Sequence, residues 1–155
     1  MGDKHGFVTN DFSYKTIVPF KYDEVNNFSD GLALVKLNDK NYFIDETGRI
    51  VFPADYDKVY SFSEGLARVK YYGEWGFIDK KGELVILSKY DYAFDFSEGL
   101  AQIVLEDKSG FIDKKGDIVI PLKYDDANDF KNGKAKVEYL GDWKYIDKYG
   151  NLIDE

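Results

Sequence analysis

The chain alternates between short stretches in which every second residue is hydrophobic and short polar stretches that contain glycine. Within residues 65–71, the positions on one face of an extended strand are small or hydrophobic: Ala67, Val69 and Tyr71. The two positions between them are basic. This period of two is typical of a β-strand with one buried face. Residues 74–78 and 83–86 predict a second and a third strand, so the pattern indicates a three-stranded meander.

The pattern returns every 34 residues without insertion or deletion. A tyrosine followed by aspartate marks the register, at Tyr22, Tyr56, Tyr90 and Tyr124. A later glycine recurs at Gly31, Gly65, Gly99 and Gly133. The complete copies are residues 19–52, 53–86, 87–120 and 121–154, and residues 5–18 form a partial copy that we interpret as an N-terminal cap. We therefore expect a single repeat domain over residues 1–155.

Two turn sequences separate the predicted strands. Asp79 stands three residues before Gly82, and each copy repeats this spacing. Aspartate at the first position and glycine at the fourth favour a type I turn, because the carboxylate can accept a local backbone hydrogen bond. Phe62, Ser63, Glu64 and Gly65 predict a second tight turn, with Gly65 at positive φ. The connector after each meander has room for a short fourth strand.

Repeats of 34 residues also occur in helix-pair arrays, but interior glycines and the period of two exclude that class here. The predicted fold class is all-β, a solenoid-like tandem array of three-stranded meanders. The alternative is a small closed ring like a propeller. Three strands are few for a propeller blade, whose repeats run to about 40–50 residues, so the open array is favoured.

The repeat resembles that of the bacterial WG-repeat family. The resemblance is carried by Phe62–Val69, Gly73–Asp79, Gly82 and Tyr90-Asp91. The name-giving Trp-Gly pair is present in full only at Trp75-Gly76; the aligned pairs are Asn41-Tyr42, Ser109-Gly110 and Trp143-Lys144. The resemblance implies a β-repeat module that occurs alone or attached to other domains, and it implies no shared catalytic residue.

Composition narrows the possible partners and compartments. The formal net charge is -8, and an acidic surface repels phosphate backbones, so nucleic acid is not an expected partner. The chain has no cysteine, which excludes disulfides and thiolate metal sites. No apolar run approaches the ~18 residues of a membrane span, and residues 1–12 lack a signal-peptide core. We expect the chain in the cytoplasm as given, or outside it if it is a fragment of a longer chain. The oligomeric state is left open.

The acidic residues form no recognised catalytic or metal-binding motif. The recurring aspartates are assigned to turns rather than to a ladder of metal ligands: Asp45, Asp79, Asp113 and Asp147. Glu24, Glu106 and Glu138 do not follow the repeat, and nothing in the sequence joins them in one cleft. His5 is the only histidine. No catalytic residue, cofactor or metal is therefore predicted, and an enzyme with an unrecognised carboxylate site ranks third among the functions.

Aromatic residues that break the register are the candidates for binding. Aromatics in register, such as Phe62 and Phe77, are predicted to form the shared core of stacked repeats. The candidate binding surface is Tyr60, Tyr72, Trp75, Tyr92, Phe94, Trp143 and Tyr149. Because stacked repeats expose a long continuous surface, the leading function is a non-catalytic scaffold that binds a protein or peptide. The alternative is a glycan or cell-envelope binding module, in which exposed rings stack on sugars.

The hairpin tips alternate between two sequence types. Copies two and four have tyrosine coupled to tryptophan, in residues 71–75 and 139–143; copies one and three have leucine coupled to a small polar residue, in residues 37–41 and 105–109. A two-residue turn would place Trp75 over the stems of Arg68 and Lys70. The period of two copies predicts like environments for Trp75 and Trp143. Drift between unequal repeats is the alternative.

Overall fold

The computed structural model describes residues 3–8 and 16–154, and every helix or strand in these residues is a β-strand. None of these residues belongs to a helix long and apolar enough to cross a membrane. The strands form one two-stranded sheet and four four-stranded sheets, all antiparallel. The two-stranded sheet, sheet 0, contains β1 (His5–Val8) and β2 (Thr16–Tyr22).

Each of the other sheets takes four consecutive strands. Sheet 1 contains β3 (Glu24–Val25), β4 (Leu32–Leu37), β5 (Lys40–Asp45) and β6 (Ile50–Pro53). Sheet 2 contains β7 (Lys58–Val59), β8 (Ala67–Tyr71), β9 (Glu74–Ile78) and β10 (Leu84–Tyr90). Sheet 3 contains β11 (Tyr92–Ala93), β12 (Ala101–Leu105), β13 (Lys108–Ile112) and β14 (Ile118–Tyr124). Sheet 4 contains β15 (Asp126–Ala127), β16 (Lys134–Tyr139), β17 (Asp142–Asp147) and β18 (Leu152–Ile153).

The repeating unit is thus a four-stranded sheet, in which the predicted three-stranded meander is joined by the short fourth strand for which the connector had room. The additional strand comes from the connector, is two residues long, and pairs with the following hairpin, as Val59 does with Val69. It is anchored by the Tyr-Asp pair, since the Asp57 carboxylate accepts the backbone N–H of Gly73 at the hairpin tip at 3.0 Å. The sheets begin at residues 24, 58, 92 and 126, inside the sequence copies.

The type I turn is confirmed. The N–H of Gly82 donates to the carbonyl of Asp79 at 3.0 Å. The Asp79 carboxylate accepts the N–H groups of Lys81 and Glu83 at 2.9 and 3.0 Å. This aspartate therefore saturates the backbone donors of its own turn, which is a structural role.

The second tight turn links sheet to sheet. Glu64 and Gly65 have φ of 53° and 92°, so the predicted positive φ of Gly65 is confirmed and the turn is of type I′. The Glu64 carboxylate accepts the N–H of Gly99 in sheet 3 at 2.9 Å. Ser63 Oγ donates to the carbonyl of Phe96 at 2.8 Å. Because a left-handed φ is unfavourable for a residue with a Cβ, these bonds to the next sheet compensate for the backbone strain at Glu64.

The core is divided into layers between successive sheets. In-register aromatic rings meet across each layer with centroids 4.7 to 4.9 Å apart, in the pairs Phe7–Phe28, Phe43–Phe62, Phe77–Phe96 and Phe111–Phe130. Each buried cluster likewise takes its members from two neighbouring sheets. The prediction that in-phase aromatics form the shared core is confirmed. So is the open tandem array, and no closed barrel forms in residues 3–8 and 16–154.

The glycine of the Trp-Gly pair has a steric role. A Cβ on Gly76 would lie 2.5 Å from the carbonyl oxygen of Ile86, and one on Gly110 would lie 2.7 Å from the equivalent oxygen. Above these glycines, β10 and β14 are seven residues long and bulged. Where Tyr42 replaces the glycine, the last strand of the sheet has four residues. Glycine therefore permits the close approach of a long final strand.

Candidate functional site

The seven aromatic residues predicted as a binding surface are distributed over sheets 2, 3 and 4. Tyr72 and Tyr149 are the most exposed, at 84% and 83%. Tyr60 contacts Trp75 with ring centroids 5.8 Å apart, the one ring contact between two of the seven within the described residues. The remaining members, which are exposed in sheets 3 and 4, are Tyr92, Phe94 and Trp143. They do not point to a single site.

The two tryptophans lie in different environments, so the predicted likeness between them is wrong. Trp75 is 5% exposed and Trp143 is 43% exposed. Trp75 therefore does not belong to an exposed binding surface, because sheet 3 covers it in a cluster that includes Phe96. The equivalent face of sheet 4 is open in the described part of the chain. The predicted contact with basic stems is confirmed: Arg68 Cζ lies 5.7 Å from the Trp75 ring, and Lys136 Nζ lies 5.5 Å from the Trp143 ring.

A cluster of tyrosines lies at the hairpin of sheet 2. The rings of Tyr56 and Tyr71 meet edge to face, with centroids 5.7 Å apart and an interplanar angle of 76°. The ring of Tyr72 lies 4.3 Å from that of Tyr71. The groove beside them, here called groove A, is lined by Pro53, Asp55, Tyr56, Tyr71 and Leu84. It joins aromatic rings, a proline and one carboxylate in an open site.

Groove A continues toward sheet 1. A neighbouring depression shares Pro53, Asp55 and Tyr56 with it. The depression is completed by residues near the hairpin of sheet 1: Asp39, Lys40, Asn41, Tyr42 and Ala54. Together the two depressions form a furrow between successive hairpins. A furrow of this kind suits an extended ligand better than a compact one.

The phenol groups of groove A are protonated at neutral pH. Burial raises the pKa of Tyr56 above its usual value. The hydrogen bond with Tyr72, followed by repulsion from that phenol and by burial, raises the pKa of Tyr71. The Tyr56 hydroxyl donates to the carbonyl of Gly82 at 3.4 Å. The rings therefore present neutral hydroxyls, which donate as well as accept hydrogen bonds.

Tyr72 occupies a conformation that ordinary side chains avoid. It has φ of 50° and is followed by Gly73 at 87°, which makes the hairpin tip a type I′ turn. The equivalent residue of sheet 1 is Asn38, a type that tolerates this φ well. A left-handed φ costs roughly 1–2 kcal/mol for a residue with a Cβ, and an exposed ring recovers little of that through burial. The equivalent residues Glu106 and Leu140 have φ of 51° and 54°, so this conformation belongs to the hairpin tip of every repeat.

A second tyrosine pair joins the last strand of sheet 3 to the hairpin of sheet 4. The rings of Tyr124 and Tyr139 have centroids 6.0 Å apart and an interplanar angle of 75°. The groove beside them, here called groove B, is lined by Lys123, Tyr124, Val137, Tyr139, Lys144, Gly150 and Leu152. In sheets 1 and 3, the position of Tyr139 is occupied by Leu37 and Leu105. The tyrosine pairs therefore alternate from sheet to sheet, as the hairpin sequences do. The two tryptophans alternate in the sequence as well, but their environments differ.

The two grooves differ in charge. Lys123 of groove B occupies the position that Asp55 has in groove A. Lys144 adds a second ammonium group to groove B. Two nearly identical ring arrangements thus carry opposite charges.

The carboxylates considered for catalysis lie in separate sheets. Glu24 of sheet 1 accepts a hydrogen bond from Lys36 at 3.3 Å. Glu106 stands at the hairpin tip of sheet 3 with φ of 51°, and Glu138 lies opposite Asp126 in sheet 4. Among residues 3–8 and 16–154, no three histidine, aspartate or glutamate side chains converge as metal ligands would.

Comparison with known proteins assigns the repeat. The model of the "WG containing repeat" matches residues 15–40, 43–75, 75–108 and 110–143. The chain belongs to the WG-repeat family. No curated protein matches it. A solved structure from work on "the de novo evolutionary emergence of a symmetrical protein" is similar at 11% identity over 99% of this chain and 84% of the other, with a TM-score of 0.41. A score this low carries no argument about fold or function.

The family signature does not coincide with the candidate site. In this WG-repeat chain, Trp75 belongs to the layer between sheets 2 and 3, and Gly76 lies under β10. The tyrosines of the grooves are repeat positions that sequence reasoning did not select. The signal was present in the alternation of Tyr71 and Tyr139 with leucine. Its partner across the groove, Tyr56, was hidden because tyrosine occupies that position in every copy.

Proposed function

We propose that this WG-repeat chain is a non-catalytic scaffold that binds an extended segment of a partner protein in grooves A and B. The observation that supports the proposal is the recurrence of one ring arrangement, with centroids 5.7 Å apart for Tyr56–Tyr71 and 6.0 Å apart for Tyr124–Tyr139. Sheets 1 and 3 form the same hairpins with leucine in place of Tyr71. The fold therefore does not require these tyrosines, and a binding role accounts for them.

The chemistry of the grooves suits an extended peptide. Tyr71 and Tyr139 are 38% and 39% exposed, so their rings offer flat apolar walls with little loss of side-chain entropy, and their hydroxyls can bond to backbone carbonyls of a ligand. Tyr124 is 3% exposed and supports the ring of Tyr139 from the core. Aromatic grooves of this type bind polyproline II segments, whose conformation is already extended before binding. Pro53 and Leu84 add apolar surface to groove A. The same reasoning applies to Leu152 in groove B.

The charges divide the ligands between the two grooves. Asp55 gives groove A an acidic wall, which favours a segment that contains lysine or arginine. Lys123 and Lys144 give groove B a basic wall, which favours aspartate or glutamate. One chain could hold two different segments, or two parts of the same segment.

Glycan binding is the second candidate. The observation that favours it is the ring of Tyr72, which is 84% exposed at the end of groove A. An open ring can stack on a sugar face, and Asp55 could accept hydrogen bonds from sugar hydroxyls. The neutral tyrosine hydroxyls fit both ligand classes. The two candidates are separated by experiment.

A peptide-display selection against the whole chain, run beside a glycan array, tests the proposal. We expect enriched peptides whose binding is weakened about tenfold or more by Tyr71→Ala or Tyr139→Ala. The matched control is Leu105→Ala, which shortens the equivalent side chain in sheet 3 and is expected to leave binding within about twofold. Retention of glycans without peptide enrichment, or binding that ignores both tyrosine variants, would contradict peptide binding in the grooves.

A further inference from the structure

We infer that two copies of this chain pair edge to edge through β10, as antiparallel strands related by a twofold axis. β10 is the last strand of sheet 2, and within residues 3–8 and 16–154 it forms a ladder on one side only, with β9. Buried clusters join the two faces of sheet 2 to sheets 1 and 3. The outer edge of β10 therefore remains open, and its backbone N–H and C=O groups can pair with another strand.

Proline blocks the equivalent edge of three other sheets. The three prolines of the chain, Pro19, Pro53 and Pro121, occupy the same repeat position in β2, β6 and β14. Proline has no N–H to donate, and on an edge strand it hinders pairing with a further strand. β10 has Leu87 at this position. The edge of β10 therefore lacks the protection that the other three edges share.

The N–H of Leu87 is available to a second strand. β10 pairs with β9 in the same register as β14 pairs with β13, with shifts at equivalent positions. Because Pro121 fits this arrangement without an N–H, the sheet does not use the donor of the residue at this position. Leu87 therefore adds to the edge of β10 a backbone donor that the edge of β14 does not have.

The outward side chains at the centre of β10 are apolar. Val85 and Leu87 are 45% and 68% exposed, whereas Ile86 and Tyr90 are buried. An exposed apolar strand edge associates readily unless proline or an inward-pointing charge prevents it. In the proposed pair, Val85 of one copy lies beside Leu87 of the other, so that each removes the other from water.

Charges at the two ends of β10 select the partner and its direction. Glu83 precedes Val85 by two positions, Lys89 follows Leu87 by two, and both charged side chains are exposed. Neither has an ion-pair partner among the described residues. With the twofold axis at Ile86, Glu83 of each copy faces Lys89 of the other. An in-register parallel pair would place Glu83 beside Glu83, so the charges favour the antiparallel dimer.

The edge of β14 has the charges without the donor. Asp117 and Lys123 repeat the charges of Glu83 and Lys89 at the equivalent positions, but Pro121 interrupts the strand. Of the edges of β2, β6, β10 and β14, only that of β10 combines opposite charges at its two ends with an N–H at the central position. Because a twofold contact uses the same edge of both copies, it closes at a dimer and does not grow into a filament.

Sedimentation velocity of the whole chain tests the inference, with concentrations up to about 1 mM because a contact between two strands is small and weak. We expect a reversible equilibrium between monomer and dimer. Leu87→Pro is expected to raise the dissociation constant about tenfold or more, because it removes the donor at the centre of the edge. The variant should fold, since β14 has proline at this position. A chain that stays monomeric, or that assembles beyond a dimer, would overturn the inference.

Charge exchange tests the register without a change in the backbone. Glu83→Lys and Lys89→Glu are each expected to weaken the dimer about tenfold, and the double variant is expected to restore it to within about threefold. The matched control is Asp117→Lys in the turn before β14, which is expected to change dimerisation less than about twofold. Tyr71→Ala and Tyr139→Ala should leave the dimer unchanged, so this result is separable from peptide binding in the tyrosine grooves. A dimer that survives Leu87→Pro and both single charge variants would overturn the inference.

Discussion

The Glu98 carboxylate accepts the backbone N–H of Gly133 in the next sheet at 2.9 Å. Glu98 has φ of 53°, which a residue with a Cβ adopts only at a cost. Asp30 holds the N–H of Gly65 in the same way at 2.7 Å, so the contact forms a ladder along the array. Each tight turn is therefore strained by itself and stabilised by its successor. Neighbouring sheets should unfold cooperatively for this reason.

The ladder predicts how acid destabilises the protein. The hydrogen bond from Gly133, and after it the contacts with Lys148, lower the pKa of Glu98 in the folded state. The stability that this group contributes is present above its unfolded pKa of about 4.3, and it is lost as the pH falls through the lower folded pKa. Glu98→Gln should be less stable than the native chain at pH 7 and should lose less stability on acidification.

Urea unfolding between pH 7 and pH 2 measures this difference. The control is Glu46→Gln, an exposed carboxylate in the turn of sheet 1. It should reproduce the pH dependence of the native chain. If Glu98→Gln and the native chain gave parallel curves, the carboxylate would have no role in linking the sheets.

The glycine under the final strand should resist even a methyl group. A Cβ at residue 110 would lie 2.7 Å from the carbonyl oxygen of Ile120. Overpacking of this kind costs about 1–3 kcal/mol, so Gly110→Ala should lower the melting temperature by several degrees. Lys144→Ala, at the equivalent position of sheet 4, should have little effect. Equal losses in the two variants would refute the steric explanation of the family's glycine.

Substitutions of Gly65 test the effect of backbone strain alone, because an added Cβ meets no neighbouring atom. It has φ of 92°, and a Cβ there would face open space. Gly65→Val should destabilise the chain by more than about 1 kcal/mol, because a β-branched residue disfavours positive φ. Gly65→Asn should cost much less, since asparagine tolerates this region. Denaturant midpoints measure both variants, and an unchanged midpoint for Gly65→Val would remove the turn argument.

The tryptophans report on coverage by the following sheet. In Trp143→Phe the remaining Trp75 should emit at short wavelength and resist iodide quenching, because sheet 3 covers it. In Trp75→Phe the remaining Trp143 should emit at longer wavelength and be quenched readily. Similar emission and quenching in the two variants would contradict the difference in exposure between the two tryptophans.

Turns that are held by local hydrogen bonds could be predicted from the sequence. The covering of one sheet by the next could not. Asp79 and Gly82 define their turn through hydrogen bonds within four residues, so their spacing was sufficient. The period of two identified the buried face of Ala67 and Val69, but the opposite face is also buried, at Trp75 and Phe77. For the short strand of Lys58 and Val59 the sequence indicated only that the connector had room for it, because two residues carry no periodic signal.

The exposure of Trp75 and of Trp143 depends on whether another sheet packs over it. The residues of a single repeat do not contain that information. The tyrosine grooves were missed for a related reason. Tyr56 lies in the connector before β7, whereas Tyr71 ends β8, so their contact joins residues that are 15 positions apart in the sequence. The sequence contained the alternation of tyrosine and leucine, but the structure was needed to pair it with Tyr56.

The most direct test of the proposed function is an NMR titration of the isotope-labelled chain with a peptide enriched by the selection. Because grooves A and B are formed on rigid strands, the largest shifts should be confined to groove residues and their hairpins. For groove A we predict saturable shifts of the ring and amide signals of Tyr56, Tyr71 and Tyr72, lost in Tyr71→Ala. Shifts that centre on another surface, such as the exposed turn at Lys114 and Lys115, and that survive in Tyr71→Ala and Tyr139→Ala would contradict peptide binding in the tyrosine grooves.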